Sequence, residues 1–305
     1  MHQFLAYLKF LWHSKNEHGV HSPFVYDLLT SCLYKKEDKP AFKTIEAYRQ
    51  AVLKDEREIQ VKDFGAGSKV FKSDTRKVAD IAKNAGISRK RAILLNKITS
   101  YFKVKSAIEL GTSVGISSAA MAAGNDLKLL TIEGCPETAK IAGEYFKRFK
   151  LENIQLVTGS FEEKTPQAHR PPKGELSFQI PKYKIQSTHN RQLTTDNSQP
   201  TTQNPQPKTD NLLSPTHNPQ PKTDFVYFDG NHQKEPTLKY FLDLLPLAHN
   251  NSVFIFDDIH WSSGMEEAWE EIKIHPRVRV TIDTFYWGIV FFREEQEKEH
   301  FTIRL

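Results

Sequence analysis

The stretch Ala107-Ile-Glu-Leu-Gly-Thr-Ser-Val-Gly115 decides how the rest of the chain is read. A short apolar run from Ser106 to Leu110 closes on a glycine-bearing turn, and small residues then carry a helical segment through Ala123. A strand that feeds a helix in this way is half of a βαβ unit. Working outward, the same rhythm recurs at Leu127–Ile132, Ile154–Val157, Phe225–Phe228 and Val253–Phe256, each separated from the next by helical or loop sequence. That alternation predicts an α/β fold, a Rossmann-like and mostly parallel sheet. The tail breaks the pattern, because Val278–Ile282 is followed after a few residues by Trp287–Phe292. So short a link cannot make a parallel crossover, and the last strand is expected to run antiparallel.

Upstream, the pattern is helical. Phe4, Leu5, Leu8, Leu11 and Trp12 recur at helical spacing, as do Phe42, Ile45, Val52 and Leu53, while Asp74 and Ser88 stand where helix N-caps are expected. Residues 1–104 therefore read as an N-terminal helical cap or lid and 105–305 as the main domain. That domain is interrupted at about 165–223. There the chain places 10 of its 16 prolines and much Gln, Asn, Thr and Ser, and it repeats Asn204-Pro-Gln-Pro-Lys-Thr-Asp210 as Asn218-Pro-Gln-Pro-Lys-Thr-Asp224. Such a composition holds too little apolar surface to offset the entropy of ordering it, and a disordered insertion is expected.

The insertion also explains the net charge of +5. Seven Lys or Arg against three Asp or Glu lie inside it, so the remaining residues are close to neutral and give no electrostatic reason to expect nucleic acid. Two cysteines, Cys32 and Cys135, exclude a disulfide framework and a four-thiolate zinc site. The apolar run Phe4–Trp12 is too short to span a bilayer. A soluble, cytoplasmic protein without membrane contact is expected.

In open α/β sheets ligands bind beyond the carboxyl ends of the strands, so the residues just past each strand carry the chemistry. After the first comes Glu109-Leu-Gly111-Thr112-Ser113-Val-Gly115, small enough for a backbone to approach a ligand. After the second comes Glu133, 24 residues past Glu109, where a carboxylate can take two ribose hydroxyls. After the third come Gly159 and Ser160, able to flank an adenine. The turn is not Gly-x-Gly-x-x-Gly, since Ser113 stands where a diphosphate would need glycine, and a ligand without a diphosphate is favoured.

At these residues the chain resembles the class I S-adenosylmethionine-dependent methyltransferases, and among them the catechol O-methyltransferase-like branch. The runs Ala107–Gly115, Leu130–Glu133, Val157–Ser160, Phe225–Asp229 and Phe254–Asp258 occur in that family's order. The resemblance implies S-adenosylmethionine as cofactor. Glu109 and Gly111 would lie along its methionine part with Thr112, Ser113 and Gly115 beside them, Glu133 on the ribose, and Gly159 and Ser160 near the adenine. Asp229 would serve both cofactor and acceptor. In that branch a divalent cation orients the acceptor hydroxyl, and Asp229 and Asp257 match two of its ligands while Asp258 replaces an Asn. Mg²⁺ on Asp229, Asp257 and Asp258 is thus an expectation. His232 falls where the branch carries a basic lysine, and an imidazole can take a proton at neutral pH, so His232 and Asp229 are the expected catalytic pair.

A second acidic-glycine loop, Asp63-Phe-Gly65-Ala-Gly67-Ser68, competes for the cofactor, but no apolar strand ending in an acid follows it at the required distance, and helical, Lys-rich sequence does. His260 and Trp261 could wall an acceptor pocket; His13, His18 and His21 match no common zinc spacing; and nine Lys or Arg between Arg76 and Lys105 read as a solvated face. The expected protein is a methyltransferase acting on an oxygen of a small molecule, with the apolar first helix able to pair two subunits. A nicotinamide-dependent oxidoreductase and a non-catalytic cofactor-binding scaffold are the alternatives. A nucleic-acid methyltransferase is disfavoured, since Asp229-Gly-Asn-His232 replaces the Asn/Asp-Pro-Pro-aromatic run of those enzymes.

Overall fold

A computed structural model describes residues 2–62, 73–165 and 222–305. The loop at Asp63–Ser68 and nearly all of the proline-rich insertion lie outside the described residues. The insertion's two ends do not: Thr165 and Thr223 are buried in the folded unit.

The amino-terminal part is built from α1 (His2–His13), α2 (Pro23–Leu28), which runs into one π-type turn over Leu29–Leu33, and α3 (Pro40–Leu53). Proline at the first position of α2 and α3 fixes φ where no backbone donor is needed. The first hundred residues are not all helical. β1 (Glu58–Gln60) and β2 (Thr75–Lys77) form an antiparallel pair before α4 (Val78–Asn84) and α5 (Arg89–Tyr101). That pair removes Asp74 from the N-cap position expected for it: α4 starts after Lys77, and the Asp74 carbonyl instead accepts from the Val61 N–H at 2.7 Å. Ser88 does cap α5, its hydroxyl accepting from the Arg91 N–H at 3.3 Å.

From Ser106 onward the expected alternation holds: β3 (Ser106–Leu110), α6 (Ile116–Ala122), β4 (Lys128–Glu133), α7 (Pro136–Arg148), β5 (Ile154–Thr158) and the single turn α8 (Phe161–Lys164). Beyond the insertion come β6 (Thr223–Phe228), α9 (Lys234–Leu244), β7 (Ala248–Asp257), α10 (Ser263–Ile274), β8 (Val280–Asp283), β9 (Trp287–Phe291) and β10 (Glu299–Thr302). The eight-stranded sheet runs β10-β8-β9-β7-β6-β3-β4-β5, with β9 antiparallel to both neighbours and every other pairing parallel. The reversed strand is the one expected at Trp287–Phe292. β10 has no signal in the sequence, because Glu294, Glu295, Glu297 and Glu299 read as a solvated run; it closes the edge by pairing in parallel with β8.

Alternation along each strand sorts side chains between two layers. Ala107, Phe225, Tyr227, Val253 and Ile255 face the layer of α3, α5, α6 and α7. Ile108, Leu110, Val226, Phe228, Phe254 and Phe256 face α9 and α10. Chain order reverses between β3 and β6: β4 and β5 lie on one side of β3, and β6 and β7 on the other. This is the topological switch point, where the strand ends splay and leave a crevice. Leu110 and Phe228 are paired there, and the Asp229 N–H donates to the Leu110 carbonyl at 2.9 Å.

Candidate active site at the carboxyl ends of β3, β4, β6 and β7

The turn after β3 is held by backbone that only glycine tolerates well. Gly111 has φ +102°, and a Cβ there would lie 2.7 Å from the Asp229 carbonyl carbon and closer still to its oxygen. The glycine thus seats the ends of β3 and β6 against each other; the space its side chain would take is filled by Asp229 backbone and not by a ligand. Gly115, at φ +79°, opens α6 under the Tyr48 hydroxyl, which donates to the Val114 carbonyl at 3.0 Å. Between them Ser113 adopts φ 49° and turns its N–H toward Glu133.

Glu133, the last residue of β4, ties two loops together. Its carboxylate accepts from the Ser113 N–H at 2.7 Å and from the Cys135 N–H at 2.9 Å, and its own carbonyl accepts from the Gly159 N–H at 2.9 Å. Ser113, Glu133, Gly159 and Ser160 are all partly exposed along one rim. A carboxylate offers about four acceptor directions, so one already anchored on two amides can still take a diol. On that chemistry these residues fit the sugar and adenine of S-adenosylmethionine.

Glu109 and Thr112 behave differently from expectation. Strand alternation points Glu109 beneath α6, and the side chain is 0% exposed. It accepts from the Ser118 hydroxyl and, at 2.6 Å, from the Thr131 hydroxyl, which in turn meets the Thr112 hydroxyl at 2.6 Å. Burial pushes its carboxyl up to about 7 against the hydroxyls of Ser117, Ser118 and Thr131. The pair supports the turn from below rather than lining its surface.

The second half of the site lies at the ends of β6 and β7. Asp229 is mostly buried, and burial together with the charges of Asp257 and Asp258 raises its pKa well above the usual carboxylate range. Asp258 is pushed up to about 6 by burial and by Asp257. His232 Nε2 stands 3.7 Å from Asp229 Oδ1. Asn231, His232 and Asp258 all have positive φ, at 71°, 42° and 53°. Such backbone costs on the order of 1 kcal/mol per residue for a side chain other than glycine, and its concentration at two neighbouring strand ends marks a functional constraint.

The residue that sequence reasoning missed is Arg91. From the first turn of α5 its Nη1 reaches Asp257 Oδ1 at 2.9 Å, and its guanidinium lies 5.0 Å from the centre of the Tyr286 ring. The only signal for it is the Ser88 cap, which fixes Arg91 in a first helical turn; nothing in the sequence tells it from the eight other cations around it. Arg91 also bears on the metal expected at Asp229, Asp257 and Asp258. The three carboxylates converge, yet among the described residues no group of three His, Cys, Asp or Glu side chains is arranged to hold a metal ion. The guanidinium occupies one Asp257 oxygen. Mg²⁺ does not fit the trio as it stands.

Other assignments resolve simply. His260 has both ring nitrogens engaged, Nδ1 on Glu266 Oε1 at 2.8 Å and Nε2 on Asp283 Oδ2 at 2.9 Å, and stacks on Phe285. Burial would lower its pKa, but the two carboxylates outweigh it and raise the value, so the ring is a braced structural group and not a base. His13 bonds its own helix through the Lys9 carbonyl. Cys135 is buried and its Sγ accepts from the Lys62 N–H at 3.4 Å, joining α7 to the end of β1. In α1, Ala6 and Phe10 are buried while Phe4, Leu5, Leu8 and Trp12 face outward. Among the described residues no helix is long and apolar enough to cross a membrane.

A family model described as a methyltransferase domain matches residues 108–259. No curated protein sequence matches the chain. Among solved structures, a putative O-methyltransferase from Klebsiella pneumoniae is 12% identical with a TM-score of 0.48, covering 84% of this chain and 91% of that one. An O-methyltransferase from Bacillus cereus in complex with S-adenosylhomocysteine is 15% identical with a TM-score of 0.44, covering 88% and 95%. An S-adenosylhomocysteine-bound methyltransferase from Podospora anserina is 13% identical with a TM-score of 0.49, covering 90% and 97%. The matched span takes in the glycine turn after β3, Glu133, and the acids that end β6 and β7, and by that domain the chain belongs to the class I S-adenosylmethionine-dependent methyltransferases.

Proposed function

We propose that this enzyme methylates an oxygen of a small-molecule acceptor, in the manner of the catechol O-methyltransferase-like branch, and releases S-adenosylhomocysteine. The observation that carries the reading is the convergence, at one switch point, of an amide-anchored Glu133 with the His232–Asp229 pair. Residues 105–305 would form the catalytic domain and 1–104 the cap over the acceptor. Two buried thiols with no disulfide fit the cytoplasm.

Methyl transfer needs an acceptor held in line with the methyl carbon and a place for its proton. When bound, S-adenosylmethionine supplies an electrophilic methyl on a sulfonium sulfur. Glu133 would hold the ribose diol, and the Gly111–Gly115 turn would lie along the amino-acid part. His232 would accept the acceptor's hydroxyl proton at an imidazole nitrogen. Asp258 lies close enough for the two charges to interact and would stabilise the imidazolium formed. Asp229, whose Oδ1 stands 3.7 Å from the His232 Nε2, would orient the ring.

Calorimetry with S-adenosylhomocysteine and with NAD tests the reading: binding of the first is expected, and tight NAD binding without it would overturn the function in favour of an oxidoreductase. His232→Ala is expected to lower kcat about 10²–10⁴-fold while leaving S-adenosylhomocysteine affinity within about twofold. Unchanged turnover would remove His232 from the proton path.

A further inference from the structure

Four observations single out Arg91. Its ion pair with Asp257 is direct, at 2.9 Å, and enclosed: the two side chains are 23% and 5% exposed. The guanidinium is also packed against Tyr286, on the β8–β9 turn, so three separate elements fix it. It sits in the first turn of α5, whose Arg89, Lys90 and Arg91 include no acid, although cations are disfavoured at the positive end of a helix dipole. Helix stability therefore does not explain its placement. Finally, the guanidinium feels Asp229 and Asp258, on the same two adjacent strand ends, as well as Asp257.

We infer that Arg91 is the resident cation of the Asp229, Asp257 and Asp258 cluster, standing in place of a divalent ion, and that it keeps these acids in position without a metal. The inference rests on the proposed methyl transfer at the same site. Arg91 acts through Asp257: it is a positioning residue that fixes this carboxylate at the strand end next to the one that carries Asp229 and His232. A divalent ion seeking this place would have to expel a half-buried guanidinium from one of its own ligands. Guanidinium groups are weakly hydrated and present a planar fork of donors, which suits them to such a half-buried position better than lysine.

The test is a Mn²⁺ titration of the full chain followed by electron paramagnetic resonance, with S-adenosylhomocysteine calorimetry on the same samples. Wild-type protein is expected to bind no Mn²⁺ up to about 1 mM, the weak end of protein divalent sites, and its turnover should be indifferent to EDTA and Mg²⁺. Arg91→Gln exposes the Asp257 oxygen and should gain a Mn²⁺ site at least about tenfold tighter than any wild-type binding, lost again when Asp257→Asn is added. Its reduced turnover should rise with Mg²⁺, which loss of a merely structural residue would not produce. Arg91→Lys keeps a cation and should remain indifferent to metal; should Arg91→Gln fail to fold, the wild-type and Arg91→Lys titrations decide. One equivalent of Mn²⁺ bound by wild type and removed by Asp257→Asn would overturn the inference, as would a folded Arg91→Gln that binds none. Loss of S-adenosylhomocysteine binding in wild type would instead sink the methyl-transfer reading, so the two failures are told apart.

Discussion

Replacing Glu133 by Ala is expected to weaken S-adenosylhomocysteine binding about 100-fold, measured by calorimetry. Two hydrogen bonds from a sugar diol to a carboxylate are charge-assisted, and each contributes about 1.5–3 kcal/mol when desolvated. Loss of about 3 kcal/mol corresponds to two orders of magnitude in Kd. The same carboxylate is also a structural clamp, accepting from the Ser113 and Cys135 amides, so the Ala variant will lose stability as well. Glu133→Gln separates the roles: it keeps one carbonyl acceptor for an amide but removes the charge, and it should retain more thermal stability than the Ala variant while binding the ligand at least tenfold less tightly than wild type. A variant that melts early yet binds S-adenosylhomocysteine with wild-type affinity would make Glu133 a clamp alone and remove the ribose contact.

The legible and the hidden parts of the sequence divide along a physical line. Strand ends are legible because each closes an apolar run with a polar or small residue, and the short link to Trp287 leaves β9 no direction but the reverse one. The layer that a strand residue faces is not legible without neighbours. Glu109 reads as the first acid of a ligand loop, yet the two-residue period of β3 sends it under α6 to the Ser118 and Thr131 hydroxyls. Gly111 likewise reads as room for a ligand, and the room turns out to belong to the Asp229 carbonyl, which arrives from a strand more than a hundred residues away.

Arg91 is the clearest case of information held only in three dimensions. Composition spreads its charge into a basic segment, and no local rule separates a guanidinium bound for a buried acid from one left in water. Once α5 is docked, the acids of β6 and β7 select it. The metal expectation failed for the same reason: three carboxylates in sequence say nothing of the cation that already accompanies them. The edge strand β10 and the β1–β2 pair are short, polar and stabilised by a neighbour rather than by their own pattern, which is why a period-based reading passes over them.

The glycine turn itself bears the largest expected stability effect. Gly111→Ala should cost about 3–5 kcal/mol, in the range reached only when a change combines backbone strain with an unrelieved clash. Both apply. The φ of +102° is one that alanine rarely adopts, and the new methyl meets backbone of Asp229, which has no rotamer to change. Relief requires the ends of β3 and β6 to part, and that breaks the Asp229-to-Leu110 hydrogen bond at 2.9 Å and strains the one from the Gly111 N–H to the Ile132 carbonyl at 3.0 Å. Gly143→Ala is the matched control: its Cβ would meet only the Leu156 side chain, at 3.6 Å, inside α7, where alanine is the better helix former by about 0.5–1 kcal/mol. Thermal melts should therefore show Gly111→Ala falling by at least about 6 °C and Gly143→Ala holding or rising. Because Asp229 is the group displaced, methyl transfer by any Gly111→Ala protein that stays folded at low temperature should fall further than cofactor binding does. Equal melting temperatures for the two variants would mean that β3 and β6 do not meet as closely as described, and the placement of Asp229 beside His232 would fall with them.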